Sequence, residues 1–152
     1  MLLGATHLNL DTKGRLAMPS KYRERLSVNE SGEMVLTIDR AKCLFLFPYS
    51  EWEVFAGKLQ ALPTFDEQAQ ALRTMYIDFA SEVKLDAGGR ILIPQQMRDY
   101  ANLEKKVVLS GQINRFQIWS EAAWGDRIGN VMRHVDDIDF KNPSPAIASL
   151  NL

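Results

Sequence analysis

A chain of 152 residues and 17.2 kDa, 46% hydrophobic and 24% charged, carries enough apolar content for one ordinary core or for two small halves that share one. No run approaches the ~20 apolar residues of a membrane span, and MLLGATHLNLD has no basic start followed by a long apolar block, so a cytoplasmic protein with no membrane partner is expected. The net charge of -1 and pI near 6.1 exclude a chain coated in basic residues, the usual footprint of a nucleic-acid binder, but they leave room for a local patch.

The first element is Thr6 to Leu10, where strict alternation predicts a half-buried strand. A turn follows in LDTKGRLAMP: Asp11 can cap it through a side-chain oxygen, and Gly14 permits the positive φ that a side-chain-bearing residue resists. Arg15 to Met18 then reads as a second strand, stopped by Pro19. Ser20 is placed to cap a short helix with Tyr22 and Leu26 on its inner face. Met34 to Ile38 and Cys43 to Phe47 complete a set of strands, with the single Cys43 read as a small buried hydrophobe. Ser50 and Glu53 form a capping box for a helix carrying Trp52, Phe55, Leu59 and Leu62. Pro63 breaks it, and Thr64 with Glu67 repeats the capping pattern before Phe65, Ala69, Leu72, Tyr76 and Phe79.

The same order of parts then recurs. Leu10, Asp11, Gly14, Arg15, Pro19 and Arg23 return as Leu85, Asp86, Gly89, Arg90, Pro94 and Arg98 within LDAGGRILIP and the residues after it. Ser81 to Leu85 and Arg90 to Ile93 are the corresponding strands, and Met97 and Ala101 sit on the corresponding short helix. Val107 to Leu109 and Phe116 to Trp119 follow, joined through Ser110 to Arg115 as a hairpin. Ser120 is placed to cap a last helix with Trp124, Ile128 and Val131 inward. Beyond about Asp136 no period remains, and an irregular tail is expected.

A two-strand hairpin with one short helix buries too little apolar surface to stand alone, so each copy needs the other to make a core. The fold class expected is α+β, mainly β: a barrel-like domain with an internal pseudo-two-fold relating its two Asp-x-x-Gly-Arg turns, and flanking helices. The boundaries read as residues 5–52 and 81–124 for the two copies, 53–80 for a helical connection, and 125–152 for a C-terminal helix and tail.

The duplicated pattern, LDTKGRLAMPSKYRERL and LDAGGRILIPQQMRDYA with SEWEVF and SEAAW after the respective halves, resembles the MraZ family from about Met1 to about Arg133. The resemblance implies two AbrB-like (SpoVT-AbrB) swapped-hairpin modules in one chain and a ring-shaped homo-oligomer. It also implies a nucleoid-associated transcriptional regulator. Such a regulator looks like a repressor acting on double-stranded DNA at repeated boxes upstream of a cell division and cell wall gene cluster.

The positive charge is concentrated in the first copy. From Asp11 to Leu26, five cations (Lys13, Arg15, Lys21, Arg23 and Arg25) face two carboxylates, a net of +3; the matching window, Asp86 to Ala101, is neutral. Lys13 and Arg15, and Arg90 in the second turn, are placed to reach a phosphate or chelate guanine O6 and N7. The alternative for the arginines is an internal ion pair, Asp11 with Arg15 and Asp86 with Arg90, that fastens the turn. Gly88 stands where the first turn has Lys13, so the first turn is expected to contribute more. Lys21 and Arg23 either extend the stripe along the backbone or solvate an outer face. Arg23 and Arg98 are equivalent in position, which points to a shared structural task and pairing with neighbouring carboxylates. The helical apolar series is either core packing or a protomer interface.

Asp11, Gly14, Asp86 and Gly89 are read as loop-forming residues. His7 and His134 are too isolated for a metal site, no nucleophile has a base beside it, and no phosphate cradle precedes a helix. No enzyme, metal or cofactor is expected. The rival to a DNA-binding regulator is an oligomeric interaction scaffold whose turns are purely structural.

Overall fold

The computed structural model describes residues 1–152, and its elements alternate in the duplicated order that the repeat requires. The first copy holds β1 (Leu2–Asn9), β2 (Arg15–Ala17), α1 (Ser20–Glu30), β3 (Glu33–Ile38) and β4 (Leu44–Pro48). Helices α2 (Tyr49–Gln60) and α3 (Glu67–Asp78) connect it to β5 (Ser81–Lys84), β6 (Arg90–Leu92), α4 (Gln95–Tyr100), β7 (Lys106–Ile113) and β8 (Phe116–Ser120). Helix α5 (Glu121–Asp136) and the short α6 (Pro145–Ala148) follow. Residues 1–121 form one compact unit and 122–152 another.

Six strands form one antiparallel sheet in the order β1-β7-β8-β4-β3-β5, and β2 and β6 pair with each other as a separate ribbon. Within each copy β3 pairs with β4 and β7 with β8, the latter being the hairpin expected through Ser110 to Arg115. The outer strands cross over: β1 pairs with β7, Thr6 opposite Leu109, and β5 pairs with β3, Val83 opposite Met34. When every strand is exchanged for its counterpart in the other copy, the order reads as itself reversed.

The fold is therefore α+β with a large antiparallel sheet, but the closed barrel expected from the sequence does not form. Strands β1 and β5 are free edges, and the ribbon strands are only three residues long. Pro19 and Pro94 stand at the cap of α1 and α4, close behind β2 and β6. Lacking an N–H and with φ fixed, they stop the ladder and turn the chain into helix before the ribbon can reach a sheet edge.

Alternation in these strands sends one face into a core drawn from both copies. Leu16, Met18, Met34, Leu36, Leu44, Leu46, Ile91, Ile93, Leu109, Phe116 and Ile118 have no exposed surface. Burying each such side chain is worth about 1.5–3 kcal/mol, so neither copy retains its core without the other. Tyr22 of α1 meets Phe116 of β8 edge-on, ring centroids 4.9 Å apart. Cys43 is wholly buried.

The helix starts differ from the expected ones. Pro19 and Pro48 occupy the cap positions of α1 and α2, so Ser20 and Ser50 lie within the helices and neither caps its own. Glu30 at the end of α1 takes over for α2, accepting from the Ser50 amide at 3.0 Å and its hydroxyl at 2.5 Å. Asp66, not Thr64, caps α3, through bonds from the Gln68 and Ala69 amides. Phe65, expected on the inner face, is 95% exposed because it precedes that cap. Leu72 and Phe79 are also exposed, while Ala69 and Tyr76 are buried. Helix α2 packs inward: Phe55 stacks on Phe47 at 5.0 Å and meets Tyr76 of α3 edge-on at 5.2 Å.

Helix α5 buries none of its residues; Ile128 and Val131 keep 38% and 41% of their surface exposed. Helical spacing fixes which face is apolar, but burial requires a covering surface. The tail is one helical turn more ordered than expected, because the Ser144 hydroxyl caps α6. No helix is long and apolar enough to cross a membrane.

Candidate nucleic-acid interface

The turn after β1 is built by one carboxylate. Asp11 Oδ1 accepts from the backbone N–H of Lys13 at 2.9 Å and of Arg15 at 2.8 Å, and Oδ2 accepts from Arg15 Nε at 2.6 Å. The Gly14 amide returns to the Asp11 carbonyl at 3.0 Å, and the positive φ of 82° at Gly14 then turns the chain back so that the Asp11 amide meets the Arg15 carbonyl at 3.1 Å. The second turn repeats it: Asp86 Oδ1 accepts from the Gly88 and Arg90 amides, both at 2.9 Å, and Oδ2 from Arg90 Nε at 3.2 Å. Gly89 has a φ of 73°. The Arg15 amide, first among its donors, holds the Asp11 carboxyl below its ordinary range, and the Arg90 amide does the same for Asp86. Both ion pairs weighed from the sequence are thus present, and both turns are closed without any ligand.

The ribbon decides where the arginines go. Leu16 stands opposite Ile91 with both side chains in the core, so Arg15 and Ala17, paired with Leu92 and Arg90, occupy the other face. Arg15 and Arg90 keep 28% and 37% of their side-chain surface exposed. Arg90 Nη1 also lies 4.0 Å from Asp11 Oδ2, which brings the two turns into one charged group. That contact arises from strand pairing between copies, and no local signal in the sequence announces it.

The other cations are dispersed. Lys13 is exposed at the first turn, with Gly88 at the matching place in the second. Lys21 is exposed on α1, its Nζ 4.9 Å above the Tyr22 ring. Arg23 does not join a free stripe: its Nη2 donates to the Met18 carbonyl at 2.9 Å and its side chain crosses Gly89. Arg25 donates to the Met1 carbonyl. Arg98 donates from Nε to the Ile93 carbonyl at 2.9 Å and crosses Gly14. The expected carboxylate partners of Arg23 and Arg98 are replaced by backbone carbonyls, because the prolines after Met18 and Ile93 start helices that aim each arginine back at its own strand end. No group of three or more His, Cys, Asp or Glu side chains converges on a metal position.

An α+β chain built on a large antiparallel sheet, with two aspartate-seated arginines on the outer face of one short ribbon, is the class that fold and site define. The family model described as "MraZ protein, putative antitoxin-like" matches residues 1–75 and 77–134. The chain is 50% identical over 125 residues to a protein of Alkalilimnicola ehrlichii named "Transcriptional regulator MraZ", covering 82% of this chain and 83% of that one. Proteins of the same name from Shewanella oneidensis and Thioalkalivibrio sulfidiphilus are 46% and 43% identical; the matches cover 93% and 100% of this chain and 94% and 100% of theirs. This chain belongs to the MraZ family.

Proposed function

We propose that this protein is a DNA-binding regulator of transcription that lays the β2–β6 ribbon against duplex DNA. The observation that carries the reading is the shared outward face of Arg15 and Arg90, backed by a wholly buried Leu16–Ile91 pair. A two-stranded ribbon fits the major groove, and arginine offers the bidentate geometry that guanine O6 and N7 accept. Lys13, and Lys21 beyond it, add phosphate contacts. The name carried by the relatives supports regulation of transcription.

The finer reading follows the family resemblance. The copies, residues 5–52 and 81–124 with the helical connection 53–80 between them, act as two AbrB-like swapped-hairpin modules about an internal two-fold; α5 and the tail, 125–152, lie outside them. Several chains form a ring, and the ring represses from repeated boxes ahead of cell division and cell wall genes on the nucleoid in the cytoplasm. Multivalency reconciles a net charge of -1 with DNA binding: few cations per chain suffice when copies engage adjacent boxes together.

The second reading, a protein-interaction scaffold, is favoured by the closure of both turns through their own ion pairs. A gel shift on the chain's own upstream region, with native mass measured beside it, separates them. Loss of the shift in Arg15→Ala with the oligomer intact supports DNA binding; an unaltered shift removes Arg15 from it, and no shift with wild type favours the scaffold.

A further inference from the structure

We propose that Arg98 and Arg23 are crossed positioning residues, each holding the Asp-x-x-Gly-Arg turn of the other copy, so that Arg98 sets where Lys13 and Arg15 stand and Arg23 sets where Arg90 stands. The contact is close: a Cβ on Gly14 would fall 2.4 Å from Arg98 Cζ and 2.6 Å from its Nε, so the guanidinium would have to leave its place. A Cβ on Gly89 would fall 2.3 Å from Arg23 Nε and 2.7 Å from its Cζ. Each guanidinium thus lies against a glycine backbone contributed by the opposite half.

The backbone completes the bracket. The Ile93 amide donates to the Gly14 carbonyl at 3.0 Å, and the Ile93 carbonyl accepts from Arg98. The Met18 amide donates to the Gly89 carbonyl at 2.9 Å, and the Met18 carbonyl accepts from Arg23. Gly14, Ile93 and Arg98 therefore form one unit, and Gly89, Met18 and Arg23 its counterpart. In both, the arginine spans from the end of one copy's ribbon strand to the turn of the other. The Asp11 carboxylate fixes the first turn from within; from the second copy Arg98 and Ile93 hold its Gly14 end, beside the longer Arg90–Asp11 contact. Arg98 needs no contact with DNA to matter; it acts through the cations it positions.

The effect on DNA rests on the ribbon being the DNA surface, but the bracket itself has a DNA-free readout. Hydrogen exchange on the oligomer should show faster amides in Asp11–Arg15 for Arg98→Gln and in Asp86–Arg90 for Arg23→Gln, each by at least about threefold, with the other turn unchanged. Affinity for a duplex of the upstream region should fall about three- to tenfold in Arg98→Gln, the scale of one lost hydrogen bond. That loss should shrink in an Arg15→Ala background, vanish when Lys13→Ala is added to it, and persist in full in Arg90→Ala. Arg98→Lys keeps the charge but neither the flat contact nor the Nε donor, so it should lose as much as Arg98→Gln.

Exchange unchanged in the first turn, or raised alike in both, in Arg98→Lys as well as Arg98→Gln, overturns the bracket. Full rescue by Arg98→Lys, or equal coupling to Arg15 and Arg90, overturns positioning in favour of a direct phosphate contact. If wild type binds no duplex, or Arg15→Ala binds as well as wild type, the DNA reading fails while the exchange result still judges the bracket.

Discussion

Leu16 faces Ile91 across the β2–β6 ribbon, and neither side chain has any solvent exposure. One residue earlier on each strand stands an arginine, on the other side. The pair is the floor on which Arg15 and Arg90 rest, so packing and the charged face are one construction. Leu16→Ala should cost about 2–5 kcal/mol in urea unfolding, as large-to-small changes in a closed core do. Ile91→Ala should cost a similar amount, because the two residues share one environment. A loss under about 1 kcal/mol in either would mean the ribbon is not seated on the core.

Gly88 occupies the place of Lys13 in the second turn, and its φ is not among the positive ones. A Cβ there would come within 3.1 Å of Arg90 Nε, at the flexible end of a side chain that can move aside. Gly88→Lys should therefore fold and tighten DNA binding. Each copy that engages DNA should gain a steeper salt dependence, by about 0.9 in log affinity against log salt, for one added phosphate contact. Lys13→Gly should shift the slope the other way. An unchanged slope in both variants would place neither residue against a phosphate.

Gly14 and Gly89 make the opposite case. Their φ values of 82° and 73° disfavour any side chain, and an added Cβ would collide with the arginine from the other copy. Gly14→Ala and Gly89→Ala should each destabilise by about 1–3 kcal/mol, the scale of a residue held in a sparsely populated backbone region. Gly88→Ala, free of that φ, is the control and should stay within about 0.5 kcal/mol of wild type on a surface turn. Thermal melts of the three variants test this directly.

Both turn aspartates titrate below the ordinary 3.8, chiefly because each accepts the backbone N–H of its arginine. A depressed folded pKa gives stability that is complete above the unfolded carboxylate's range and disappears as pH falls through the folded value. Stability from the turns should hold from neutral pH down to about 5, where an unfolded aspartate begins to protonate, and decline below that. Asp11→Asn removes one titration, so the acid slope of its melting temperature should be shallower than wild type below pH about 5 and parallel above it.

The turn chemistry was open to reading because it is local. Asp11 needs only residues up to Arg15 to close its turn, and alternation alone sends Leu16 and Ile91 inward. What failed depended on residues distant in the chain. Ser50 is bonded by Glu30 from another helix, and Arg23 meets Gly89 from another copy, contacts that only the assembled fold creates. Barrel closure failed for the same reason. A pattern of strands does not say whether edges meet, and here two prolines stop β2 and β6 after three residues. The face of α5 shows the limit from the other side, since spacing names an apolar stripe but not what covers it.

The crossed pairing of β1 with β7 and of β5 with β3 has a consequence for synthesis. A chain growing from its N-terminus offers Leu2–Asn9 no strand to join until Lys106–Ile113 has left the ribosome, so the first half waits open while the second is made. Its β1 edge is unpaired for that whole interval, and the six-stranded sheet is completed only once both copies have been made. A premature stop between the copies therefore leaves an unfinished sheet rather than half a protein, without the hairpin on which β1 and β4 both pair.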